Sequence, residues 1–307
     1  VADERAKANA LLLKRDATTA EPVSGATFVL SKYSGGFWLA VDGGTYTTDD
    51  AGQIHIEDLD WGSYRLTETE CVGYELLPRP LSFTVDASNA KGAVEPVKIG
   101  GVLGVTNRQK PTTVSLVKTG TDETGADTKV PVDGAEYGLF TETGDQVATD
   151  WTDADGRIEF TGVLYGKYYV KELTAAKGYA IDTEEHHFEI TRENAGEGVG
   201  MRLTDAQKGA TLTVIKLDAE GHQRLEGAEF DVEKSDGTLV AHIATDDLGE
   251  ARIRDLAWGD YTVTETRAPK GFVLDAEPKS FAVGRENADT GIEIRFDNAR
   301  KTGTVEI

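Results

Sequence analysis

One ordered set of landmarks occurs three times along the chain, and this internal repeat constrains the fold more than any single element does. Each copy opens with an apolar strand ending in lysine: Leu11-Leu12-Leu13-Lys14, Val114-Ser115-Leu116-Val117-Lys118 and Leu212-Thr213-Val214-Ile215-Lys216. A Gly-Ala-x-aromatic strand follows, closing on Phe28, Tyr137 and Phe230. Next come Asp/Gly hairpin turns at Thr48-Asp49-Asp50-Ala51-Gly52, Thr152-Asp153-Ala154-Asp155-Gly156 and Thr245-Asp246-Asp247-Leu248-Gly249. A Gly-x-Tyr strand then runs from Tyr64 to Glu68, from Tyr168 to Glu172 and from Tyr261 to Glu265, and a last strand carries Asn107, Asp205 or Asn298.

Short alternating strands separated by turn signals, in units of about a hundred residues, predict an all-β chain of three tandem Ig-like β-sandwiches. Abundant glycine (34 residues) and a single methionine agree with turn-rich β structure. The expected boundaries are 10–109, 110–207 and 208–300. Residues 1–9 read as a helical or unstructured linker, and 301–307 as the start of a further repeat or a linker. The joints near Gln109-Lys110-Pro111 and Gln207-Lys208-Gly209 are short, which favours a stiff rod over tethered beads. Tyr33-Ser34-Gly35-Gly36-Phe37-Trp38 is an addition peculiar to the first repeat and reads as a longer hairpin.

Several function classes are excluded. A net charge of -22 leaves no basic face for nucleic acid. No apolar run is long enough for a membrane span, so no membrane insertion is expected of this stretch. Cys71 is the only cysteine, so an intrachain disulfide cannot form, and it reads as a tolerated loop residue. Asp153-Ala154-Asp155-Gly156 lacks the distal glutamate and flanking helices of a calcium loop and reads as a β-turn. His186 and His187 point to opposite faces of a strand, so no metal site is expected. There is no phosphate loop or nucleophile elbow, and no cofactor is expected. Trp61 and Trp258 precede the Gly-x-Tyr turns and suit local packing.

Side chains alternate between the two faces of a strand, so parity shows which residues point inward. Leu12 shares a face with Lys14, Leu116 with Lys118, and Val214 with Lys216. Tyr64 and Leu66 share one with Glu68, Tyr168 and Val170 with Glu172, and Tyr261 and Val263 with Glu265. In the closing strands Leu103 and Val105 go with Asn107, Met201 and Leu203 with Asp205, and Ile294 and Phe296 with Asn298. Each repeat thus places a lysine, a glutamate and an Asn or Asp on core positions, where an unpaired charge costs several kcal/mol or shifts its pKa. Two explanations fit. Each unit holds a buried Lys/Glu ion pair bridged by the third group, or the lysine and the Asn or Asp have reacted. In the second case burial leaves the amine neutral and nucleophilic, and a protonated glutamate polarises the Asn carbonyl. Attack then expels ammonia from Asn, or water from Asp, leaving an isopeptide bond.

The repeats resemble the collagen-adhesin B-type domains, also called SpaA-type or prealbumin-like domains, of Gram-positive surface adhesins and pilins. Val214-Ile215-Lys216-Leu217-Asp218, the Glu-Thr-x-Ala-Pro-x-Gly element from Glu265 to Gly271, and Asn298 carry the resemblance. It covers nearly all of residues 10–300. The resemblance implies a seven-stranded reverse-Ig sandwich with Lys14–Asn107, Lys118–Asp205 and Lys216–Asn298 bonds assisted by Glu68, Glu172 and Glu265. The first copy departs from the family pattern at Glu70-Cys71-Val72, the second at Leu173-Thr174-Ala175-Ala176, and Asp205 stands where the family has Asn. It further implies an extracellular, cell-wall-attached stalk whose partners are neighbouring domains of the same protein, without enzymatic turnover. The alternative is an adhesin module that binds host matrix protein or glycan through loops of the first repeat.

Overall fold

A computed structural model describes residues 6–90, 92–102 and 104–303. By contact these form two compact units. One holds the residues up to Val114 with 160–168 and 187–199; the other holds 115–159, 169–186 and the residues from Gly200 onward.

The first repeat contains β1 (Ala8–Asp16), β2 (Thr27–Ser34), β3 (Phe37–Thr47), β4 (Gln53–Leu59), β5 (Gly62–Glu70), β6 (Leu81–Val85), β7 (Gly92–Ile99) and β8 (Val105–Asn107). The second contains β9 (Thr112–Thr121), β10 (Asp127–Pro131), β11 (Glu136–Thr141), β12 (Gln146–Trp151), β13 (Arg157–Val163), β14 (Gly166–Thr174), β15 (His186–Ile190) and β16 (Val199–Ala206). The third contains β17 (Ala210–Asp218), β18 (Glu229–Lys234), β19 (Leu239–Ala244), β20 (Glu250–Leu256), β21 (Gly259–Arg267), β22 (Lys279–Val283) and β23 (Ile292–Asn298). The fold is all-β, as the repeat predicts. The third repeat pairs a β20-β17-β23 sheet with a β19-β18-β21-β22 sheet. In the first, β4-β1-β7, with β8 also on β1, faces β3-β2-β5-β6, and the second repeat has the same two-sheet division. Seven strands suffice for the third repeat. The first gains one because its closing strand is split into β7 and β8, and the second gains β10 beside β9.

First and last strands of a repeat run parallel. In β17 and β23 Lys216 is level with Phe296 and Asp218 with Asn298; in β1 and β8 Lys14 is level with Val105 and Asp16 with Asn107. Lysine and asparagine are therefore diagonal neighbours on adjacent strands. Burial alternates strictly along β1, where Ala8, Ala10, Leu12 and Lys14 face inward. This corrects the reading of residues 1–9: β1 already begins at Ala8. Alanine's weak strand preference hid a start that burial against the opposite sheet enforces. Residues 1–5, Leu103 and 304–307 lie outside the described residues.

The Asp/Gly hairpins brace the strand that carries the lysine. Asp49, Asp153 and Asp246 each accept two backbone N–H groups of their own turn, at 2.8 to 3.0 Å, so these carboxylates build turns. The carbonyls of Gly52, Gly156 and Gly249 accept the N–H of Lys14, Lys118 and Lys216 at 2.7, 2.7 and 2.9 Å. At Gly52, with φ of +69°, a Cβ would stand 2.4 Å from the Lys14 carbonyl oxygen, so only glycine permits this approach. The addition in the first repeat is a hairpin extension: Tyr33 faces Trp38 and Ser34 faces Phe37 across β2 and β3. Cys71 follows β5, is buried, and has its thiol pKa pushed up by that burial.

Candidate functional site

All nine polar residues placed inward by parity are buried, none more than 7% exposed. In the first repeat β1 supplies Lys14, β5 Glu68 and β8 Asn107. Lys14 Nζ donates to Asn107 Oδ1 and lies 3.2 Å from Glu68 Oε1. Asn107 Nδ2 donates to both Glu68 oxygens at 2.8 and 2.9 Å, and the Leu77 N–H donates to Oε2 at 2.7 Å. The third repeat is laid out the same way. Lys216 Nζ donates to Asn298 Oδ1 and stands 3.1 Å from Glu265 Oε1, Asn298 Nδ2 donates to Oε1 at 2.9 Å, and the Asp275 N–H donates to Oε2 at 2.8 Å. Burial lowers the pKa of Lys14 and Lys216, against the pull of the neighbouring glutamates.

The glutamate was expected at the Asn carbonyl; it meets the amide nitrogen instead. The lysine occupies the carbonyl oxygen, so the amide turns its NH₂ side to the carboxylate. Glu68 and Glu265 thus sit on the group that would leave as ammonia, where a proton has to be delivered. In the first repeat a surface recess lined by Leu77, Thr106, Asn107 and Arg108 reaches this point.

The second repeat gathers Lys118, Glu172 and Asp205 with different partners. Lys118 Nζ forms an ion pair with Asp205 Oδ1 and donates to the Tyr137 hydroxyl at 2.6 Å. The Asp182 N–H donates to Glu172 Oε2 at 2.6 Å. Glu172 Oε1 and Asp205 Oδ2 have no donor, a deficit removed once one acid keeps its proton. Burial raises both carboxyl pKa values, which favours that state.

Sequence reasoning missed a second set of contacts, between consecutive repeats. Within the first unit, the Arg192 Nε–H donates to the Val72 carbonyl at 2.9 Å, the Tyr165 hydroxyl donates to the Gly73 carbonyl, and the Tyr165 N–H donates to Gln109 Oε1 at 3.0 Å. Within the second unit, Arg285 pairs with Asp133, and the Trp258 ring lies 5.3 Å from that of Tyr179. Trp258 therefore packs on the preceding repeat as well as locally. Arg192 and Arg285 belong to the same Arg-Glu-Asn-Ala turn, a duplication that could have drawn attention to it; the first repeat has Ala87 there. His186 Nε2 lies 2.8 Å from Asp182 Oδ2.

Against known proteins, the model of the SpaA prealbumin-like fold domain matches residues 8–98, 114–203 and 210–299. The chain belongs to this family. The SpaA-type match is threefold, in step with the repeats. Among curated proteins, Colossin-A of Dictyostelium discoideum is 26% identical over 154 residues, 46% of this chain and 1% of that protein. Serine-aspartate repeat-containing protein D of Staphylococcus aureus (strain Newman) is 24% identical over 291 residues, 81% of this chain and 20% of that protein. This SpaA-type chain thus spans only a small part of either relative. Among solved structures, the TIE protein of Bacillus anthracis aligns with a TM-score of 0.54 at 26% identity, covering 96% of this chain and 51% of that one.

Proposed function

We propose that the chain is a mechanical stalk segment of a Gram-positive, cell-wall-attached surface adhesin or pilus-like protein. Each repeat, with boundaries near 10–109, 110–207 and 208–300, is closed by one self-formed isopeptide bond and performs no turnover. The observation that carries this reading is the juxtaposition of lysine, glutamate and Asn or Asp in all three cores. In the first and third repeats, the neutral lysine amine attacks the Asn carbonyl carbon, the C–N bond to the amide nitrogen breaks, and ammonia leaves with a proton relayed by glutamate. In the second, Asp205 in its acid form loses water.

Strand order gives the bond its mechanical value. Lys216 lies near the end of β17 and Asn298 is the last residue of β23. Tension entering along β17 crosses at Lys216–Asn298 and leaves the repeat at once, so the sandwich between them is outside the force path. Lysine and asparagine stand 93 positions apart in the first repeat and 82 in the third. By analogy with disulfides closing loops of that length, each bond contributes about 4–5 kcal/mol.

Intact mass tests the reading, with an expected deficit of about 17 Da for each Lys–Asn bond and about 18 Da for Lys–Asp, about 52 Da in all. A chain weighing its full sequence mass would sink it.

A second reading, binding of host matrix protein or glycan, is favoured by the tip of the β2–β3 hairpin, where Tyr33, Phe37 and Leu39 are 50%, 72% and 56% exposed. Matrix-protein and glycan arrays probed with the chain and with Phe37→Ser would detect it, and identical null profiles would dismiss it.

A further inference from the structure

Three core aromatics occupy equivalent positions beside the lysines: Phe28, Tyr137 and Phe230. All three are fully buried, and their ring centroids lie 5.8, 5.2 and 6.0 Å from Nζ of Lys14, Lys118 and Lys216. The ring is therefore a constant of the fold, and the hydroxyl is confined to the second repeat. That same repeat has Asp205 in place of asparagine. The two exchanges occur together, 68 positions apart in the chain and around one nitrogen.

Exchanging Asn for Asp alters what surrounds the lysine. In the first and third repeats Nζ has two oxygen neighbours, the Asn Oδ1 and the glutamate Oε1 at 3.2 or 3.1 Å, and the Asn NH₂ ties that glutamate in place. Asp205 has no NH₂ to offer, and Glu172 faces a second acid. Lys118 instead has Asp205 Oδ1 and the Tyr137 hydroxyl, the latter at 2.6 Å. A hydroxyl buried without a partner is destabilising, so a group that makes this contact is not a neutral replacement for the phenylalanine edge. Burial also holds the phenol protonated, which makes it a fixed hydrogen-bond partner and not a base.

We infer that the Tyr137 hydroxyl belongs to the bond-forming site of the second repeat, where it orients the Lys118 amine toward Asp205 in place of the glutamate contact used by the other two repeats. The inference rests on the isopeptide reading. With one N–H directed at Tyr137, the nitrogen lone pair is free to face the Asp205 carboxyl carbon. Lys118 in its amine form adds there, the carbon–nitrogen bond forms, and the carbon–hydroxyl bond of the protonated Asp205 breaks. The hydroxyl takes a proton from the nitrogen and departs as water, so no further reactant is required. Tyr137 is unchanged at the end and accepts the N–H of the new amide.

The test is Tyr137→Phe in the full chain, which installs the residue the other two repeats already carry at this position. Samples taken at intervals after cell-free synthesis are quenched in acid and digested, and the cross-linked peptides of each repeat are quantified by mass. The first and third repeats should bond at unchanged rates, serving as internal controls, while the second slows about tenfold or more, as expected when a reacting group loses its orientation. Tyr137→Phe/Asp205→Asn reproduces the constellation of the other repeats and should restore the rate, now with a loss of about 17 Da. A purely packing role for the hydroxyl would not be rescued by a change at position 205. Bonding of Tyr137→Phe at the original rate, or failure of the double variant to recover, overturns the assignment of Tyr137 alone. Absence of the Lys118–Asp205 bond in the unaltered chain overturns the isopeptide reading of that repeat together with it.

Discussion

The third and second repeats make the same clusters from the same strands, yet only the third satisfies its polar groups without a mobile proton. There, Asn298 accepts from Lys216 and donates to Glu265, linking cation to anion through one amide. In the second, Asp205 can do only half of this, and its contact with Glu172 requires that one acid stay protonated. The comparison teaches that the sandwich fixes where the three side chains meet, while a single atom exchange at the closing strand decides how many protons the site must hold. A framework of paired strands is insensitive to N against O; a buried hydrogen-bond network is not.

The largest way to break this comparison is Glu265→Gln. The third repeat should lose its bond, its mass rising by about 17 Da relative to the bonded form, and its unfolding free energy should fall by about 4–5 kcal/mol. Intact mass and thermal unfolding of the full chain report both, and a retained deficit would remove Glu265 from the chemistry. A smaller effect sharpens the comparison. Asp205→Asn should convert the loss in the second repeat from about 18 to about 17 Da and give Glu172 the amide donor it lacks, read by peptide mapping across Lys118. If the second repeat then fails to bond, its geometry is tuned to an acid and not to an amide. The smallest effect concerns the contacts between repeats. Arg285 and Asp133 are partly exposed, so Arg285→Ala should lower stability by less than about 1 kcal/mol and leave all masses unchanged. Faster amide exchange at Gly178, whose N–H donates to Asp289 at 3.2 Å, would mark the loosened contact.

Much of the site was legible because a strand has a period of two. Leu66 before Glu68 and Val263 before Glu265 fix the inward face, and a charged residue in that row is conspicuous in a way it would not be on a helix. The orientation of the amide was not legible. Whether glutamate meets the carbonyl or the nitrogen of Asn107 depends on which side the Lys14 ammonium takes, a matter of angstroms with no counterpart in sequence. Tyr137 was passed over because tyrosine and phenylalanine fill a core position alike, and only the direction of the hydroxyl distinguishes them. Arg192 and Arg285 drew no reading, since nothing local marks a side chain that reaches the preceding repeat. Ala8 was lost to the linker because alanine carries little strand signal.

The sequence by itself determined the number of repeats, the all-β class, the inward rows and the kinds of group buried in them, because each of these follows from periodicity and side-chain chemistry along a short stretch. Tertiary structure alone decided which atoms touch. Lys14 and Asn107 are 93 positions apart, and only the parallel pairing of the first and last strands, with Glu68 delivered from the facing sheet, sets amine, amide and carboxylate side by side.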